Sequence, residues 1–186
     1  MANNEYTLPD FIADLDRITR EEASPHVITE KVEPLLTRLI RNPEALPAEY
    51  RKLGPGGKRG RYMLHRAPRF NVTSVVWAPG DTAGAHNHDT WGVIGVIENR
   101  IEETRYRVAP ERPEHARLEI TRVMRHEPGA ISRLVPGDEV HRMHNRTSRD
   151  TVEIHVYGKD LAGLERKTWS EDGAEKRLVS SKYLNC

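Results

Sequence analysis

Gly80-Asp81-Thr82-Ala83-Gly84-Ala85-His86-Asn87-His88 is the stretch on which the reading of this chain turns. His86 and His88 stand two apart. In an extended backbone that spacing puts both imidazoles on one face, where each can offer a nitrogen lone pair to the same ion. About fifty residues later comes Pro136-Gly137-Asp138-Glu139-Val140-His141, followed by Met143, His144 and Asn145. A His-x-His pair alone is a weak signal. A second segment with a turn signature ending in histidine strengthens it, with His141 or its neighbour His144 as the third ligand.

The surroundings of both segments read as short strands. Period-two alternation or β-branched content marks residues 61–66, 70–77, 84–88, 91–98, 101–108, 118–124, 130–134, 151–157 and 166–170. Pro79-Gly80-Asp81, Pro128-Gly129 and Pro136-Gly137-Asp138 supply turns between them. Many short strands at close spacing predict an antiparallel sandwich or barrel of jelly-roll type over residues 61–180.

Residues 1–53 read differently. Leu8, Phe11, Ile12, Leu15 and Ile18 recur at helical spacing, and Ser24 with Pro25 opens a second helix carrying Val27, Ile28, Val32, Leu35, Leu36, Leu39 and Ile40. Pro34 is expected to kink or split that helix, and Asn42 and Pro43 to stop it.

At 186 residues the chain is the size of one ordinary domain, and one domain, 1–186, is expected. Apolar residues at 37% and charged residues at 31% fit a globular protein rather than a disordered one. A formal charge of +1 gives no global field toward nucleic acid or an anionic membrane, and neither is expected as a partner. Residues 1–14 carry acids in place of a secretory signal, and no apolar run reaches membrane-spanning length, so a cytoplasmic location is expected. Cys186 is the single cysteine, which excludes an internal disulfide and makes a catalytic cysteine a poor expectation. No sequence feature specifies an oligomeric state.

The two histidine segments, a glycine, five residues and His-x-His, then Pro-Gly and a histidine with Asn145 after it, resemble the paired motifs of the cupin superfamily. The resemblance implies a double-stranded β-helix whose neighbouring strands point His86, His88 and His141 at one ion, and its register favours His141 over His144. Many cupins place a glutamate four or five positions after the second histidine; here Gly92 and Val93 stand there. Three neutral ligands leave a divalent ion its full charge, which favours an anionic substrate as the next ligand.

Three-histidine cupins with small residues at that position resemble the thiol dioxygenases, the family of cysteine dioxygenase and 3-mercaptopropionate dioxygenase. Thr151-Val152-Glu153-Ile154-His155-Val156-Tyr157-Gly158 resembles the family strand that brings a tyrosine hydroxyl to the substrate and a histidine behind it, roles that fall to Tyr157 and His155. Gly60-Arg61-Tyr62-Met63-Leu64 resembles the segment whose arginine binds the carboxylate of cysteine, and Arg166 matches the carboxylate-binding arginine of the mercaptopropionate enzymes. Two departures matter. Glu153 replaces the serine that normally completes a Ser-His-Tyr relay, and the cysteine that crosslinks to tyrosine in the mammalian enzyme is replaced by Val93 or Gly92.

The resemblance implies Fe(II) as the cofactor, with a small thiol carboxylate and dioxygen as partners and a sulfinate as product. The histidines alone are also compatible with a cupin oxygenase or isomerase acting on a non-thiol substrate, or with a non-catalytic metal- or ligand-binding cupin.

Overall fold

The computed structural model describes residues 5–42, 44–112 and 114–186. Helix α1 (Leu8–Glu21) starts at a capping box, in which Thr7 and Asp10 each satisfy the other's backbone N–H, and buries Phe11, Leu15 and Ile18. Helix α2 (Pro25–Ile40) follows Ser24 and Pro25 as expected and buries Ile28, Val32, Leu36 and Leu39. It runs through Pro34 as one helix. The proline ring lies on the exposed face while Val32 and Leu36 are buried, so packing offsets the lost N–H. Pro43, one of the expected stop signals, lies outside the described residues. Among the described residues, the stretch between α2 and the first strand holds 3₁₀ turns at Ala48–Arg51 and Pro55–Gly57.

Eleven strands follow in the described residues: β1 (Gly60–Arg66), β2 (Asn71–Trp77), β3 (Thr82–His86), β4 (Gly92–Glu98), β5 (Ile101–Arg112), β6 (His115–His126), β7 (Ile131–Leu134), β8 (His141–His144), β9 (Thr151–Tyr157), β10 (Glu165–Trp169) and β11 (Glu175–Val179). They form two antiparallel sheets, ordered β1-β2-β9-β4-β7 and β11-β10-β3-β8-β5-β6. Sequence neighbours are repeatedly separated by strands from the other half of the chain, which is the Greek-key crossing of a jelly roll.

The five-stranded sheet has two unlike faces. Val72, Val93, Ile154 and Val156 pack outward into one cluster with the buried residues of α1 and α2. The opposite face turns Val75, Trp77 and Val96 toward Ile101 and Met143 of the other sheet. Helices therefore close one side of the sheet, and the space between the sheets is left for the site. Strand β9 lies at the middle of its sheet with all seven residues buried. Its polar row of Glu153, His155 and Tyr157 consequently faces the interior, not solvent.

Candidate active site

The histidines converge because β3 and β8 are hydrogen-bonded neighbours with His86 directly opposite His141. The expectation of a strand over 84–88 needs correction, since β3 ends at His86 and His88 lies beyond it. His88 reaches the same place because its turn is pinned. Asn87 exchanges hydrogen bonds with the backbone of Lys167, at 3.1 and 2.8 Å, and the Glu139 carboxylate accepts the backbone N–H groups of His88 and Asp89, both at 3.0 Å.

His86, His88 and His141 are 9%, 1% and 1% exposed. One nitrogen of each lies within 4.8 Å of the others. His144, also on β8, is not in the cluster; its backbone pairs with Thr82 and Glu102. Burial first, and neighbouring imidazoles next, push His86 and His88 well below the ordinary histidine pKa. Burial also lowers His141, against the raising pull of Glu103. Three neutral imidazoles in contact are an unfavourable way to fill a protein interior and a favourable way to hold a cation.

The outer partners point the same way. His86 Nδ1 donates to the Gly84 carbonyl at 2.7 Å and His141 Nδ1 to Glu103 Oε1 at 2.6 Å, which leaves each Nε2 lone pair for an ion. His88 Nδ1 is buried without a hydrogen-bond partner, 3.6 Å from Glu139 Oε2. The residues present thus fit a divalent metal with open positions for further ligands.

Glu103 was not legible in the sequence. It is fully buried and holds His141, His126 at 2.7 Å, the Ser132 hydroxyl at 2.9 Å and Arg105 at 2.6 Å. Burial acts to raise its pKa, but the hydrogen bonds from His126 and His141 and the charge of Arg105 outweigh it and hold the carboxyl far below the usual range. Among the described residues the cluster therefore includes no carboxylate but has one a hydrogen bond further out.

On the facing sheet, the Tyr157 hydroxyl lies 2.9 Å from His155 Nδ1, and His155 Nε2 lies 2.9 Å from Glu153 Oε2. The Tyr157 ring stacks on His88 with centroids 5.2 Å apart. Burial raises its phenol above the ordinary value, so the hydroxyl stays protonated. Strand pairing sets Gly92 opposite Tyr157, and a Cβ at Gly92 would come within 2.7 Å of the tyrosine ring. The residue under the tyrosine is therefore Gly92, while Val93 packs outward with the helices.

Arg61 and Arg166 both line the same cavity, of about 420 Å³, with the three histidines, His155 and Tyr157. Arg166 is 5% exposed and donates to the Asn87 carbonyl at 2.5 Å and to the Ser180 hydroxyl. Arg61 donates to the Ser181 carbonyl and lies 4.9 Å from the Tyr183 ring centre. Neither has a carboxylate partner among the described residues, and burial lowers the pKa of both. The oxygens of Ser180 and Ser181 on them come from the segment after β11, and that of Asn87 from the turn between His86 and His88. Strand β11 itself, Glu175-Lys176-Arg177-Leu178-Val179, is not legible as a strand because it lacks a strand's alternation.

A jelly roll with three facing imidazoles between its sheets is a three-histidine cupin. Among solved structures the chain is similar to a cupin superfamily protein from Desulfitobacterium hafniense, at 10% identity and TM-score 0.47 over 64% of this chain and 94% of that one. It is also similar to a double-stranded β-helix protein from Klebsiella pneumoniae subsp. pneumoniae, at 18% and 0.44 over 72% and 93%. A cupin-2 domain of an XRE-family transcriptional regulator from Enterobacter cloacae matches at 17% and 0.41 over 55% and 97%. The chain belongs to the cysteine dioxygenase type I family, whose model matches residues 4–166.

Proposed function

We propose that this protein is an iron(II) thiol dioxygenase that adds both atoms of dioxygen to the sulfur of a small carboxylated thiol, giving a sulfinate. The observation that carries the substrate class is the pair of guanidinium groups, Arg61 and Arg166, that share a cavity with the histidine triad and form no ion pair with a carboxylate among the described residues. A planar guanidinium binds a carboxylate through two parallel hydrogen bonds and discriminates it from neutral groups. Two of them match a thiol with two carboxylates, such as mercaptosuccinate, better than one with a single carboxylate.

His86, His88 and His141 would hold the metal, which would supply the oxygen chemistry. Arg61 and Arg166 orient the substrate by its carboxylates, exchanging the neutral oxygens of Ser181 and Ser180 for charged ones. Tyr157, seated against His88, keeps a hydroxyl at the reacting end, and His155 fixes that hydroxyl from behind. Burial excludes water from these groups, which strengthens each electrostatic contact.

Oxygen uptake by iron-loaded protein, measured with cysteine, 3-mercaptopropionate and mercaptosuccinate, tests the reading. The expected order of kcat/KM puts mercaptosuccinate first. Arg61→Ala and Arg166→Ala are each expected to raise KM for it about tenfold or more while iron stays bound. An iron-loaded protein whose oxygen uptake no thiol stimulates overturns the proposal.

A further inference from the structure

Glu153 stands where the thiol dioxygenases that this chain resembles commonly carry serine, and its surroundings say what the exchange does. Its side chain is fully buried. Oε2 accepts the indole N–H of Trp77 at 2.6 Å and faces His155 Nε2 at 2.9 Å, while Oε1 has no hydrogen-bond partner. Trp77 is itself clamped, with the Arg59 guanidinium 3.8 Å over its ring and Arg59 held to Asp81 by two bonds of 2.8 Å.

An ionised carboxylate can only accept hydrogen bonds, so the hydrogen between Glu153 and His155 belongs to Nε2 of the imidazole. In the neutral ring Nδ1 is then a lone pair, and the Tyr157 hydroxyl, 2.9 Å away, donates to it. The tyrosine thus turns its proton away from the cavity and its oxygen lone pairs toward whatever binds there. A serine hydroxyl can donate or accept and fixes neither tautomer.

We propose that Glu153 is a positioning residue that makes His155 the final acceptor of the proton a thiol loses on entering the site. The inference rests on the thiol reading above. The S–H bond breaks and sulfur keeps the electron pair. The thiol proton passes to the Tyr157 oxygen as the phenol's own proton passes to His155 Nδ1. A neutral thiol and a neutral imidazole become a thiolate and an imidazolium, Tyr157 ends as it began, and the imidazolium sits against a carboxylate that carries no arginine or lysine of its own among the described residues.

The test is proton release on binding. Mercaptosuccinate is added without oxygen to iron-loaded protein in a weakly buffered indicator solution below the thiol's pKa. The wild type is expected to retain the thiol proton. Glu153→Gln, whose carbonyl oxygen can keep both hydrogen bonds without the charge, is expected to release about one proton more per thiol bound. Equal release by the two overturns the inference. Nitrogen NMR of thiol-free wild-type protein gives a second readout that needs no variant: His155 is expected as the Nε2–H tautomer, and an Nδ1–H tautomer overturns the inference even if Glu153→Gln does not fold. Should the wild-type iron protein bind no thiol, the thiol reading fails instead, and the NMR still decides the tautomer.

Discussion

Two fully buried glutamates each stand behind a histidine, one on either sheet, and their partners differ in kind. Glu103 backs His141 of the histidine cluster and is surrounded by positive and hydrogen-donating groups: Arg105, His126 and Ser132. Among the described residues, Glu153 backs His155 and meets the Trp77 indole N–H and the His155 ring, with no arginine or lysine at its carboxylate. The first charge is already balanced, so it orients and polarises a ligand without inviting a further proton. The second has no arginine or lysine paired with it among the described residues. On the proposed function the same pair of residue types serves a fixed ligand on one sheet and a proton acceptor on the other, and the neighbouring cation marks the difference.

Removing ligands and backing residues on the two sides should separate the roles. The largest effect is expected for His141→Ala, which removes one of three ligands and should abolish iron retention through gel filtration, whereas His144→Ala should retain it. The reverse result would move the third ligand to His144. Next is Glu103→Gln, expected to weaken metal binding about 10–100-fold in a competition titration because His141 loses a charged backing partner. Glu103→Ala should also lower stability by roughly 3–5 kcal/mol in denaturant melts, since Arg105 is left without its buried acid.

Glu153→Gln should leave metal affinity within about twofold of wild type in the same titration, because the carboxylate it removes touches no ligand. A loss equal to that of Glu103→Gln would erase the distinction between the two glutamates. Gly92→Ala is expected to act on stability alone. Its new methyl meets the Tyr157 ring at 2.7 Å, so the ring must shift, at a cost of about 1–3 kcal/mol read in thermal melts.

Much of this was legible in the sequence because it depends on local periodicity. The alternation in residues 151–157 placed Glu153, His155 and Tyr157 on one face, and the register of β9 against β2 and β4 agrees. The helices were legible from apolar spacing and from Ser24 and Pro25, although Pro34 misled, since a proline on an exposed helix face is tolerated when the opposite face is well buried. Strand β8 escaped because His-Arg-Met-His has no β-branched residue, and it is held in place by its neighbours β3 and β5 instead. Glu103 escaped for a different reason. Beside Glu102 in a charged strand it reads as a solvated residue, and only the pairing of β5 with β8 brings it under His141. The tail oxygens on Arg61 and Arg166 likewise depend on contacts more than a dozen residues apart in sequence, to which no local pattern points.

The central claim is tested most directly by turning over mercaptosuccinate with iron-loaded protein under isotopically labelled dioxygen and weighing the product. The account predicts a sulfinate carrying both labelled oxygen atoms, with one dioxygen consumed per thiol. A disulfide with hydrogen peroxide, or a product with only one labelled atom, would contradict it.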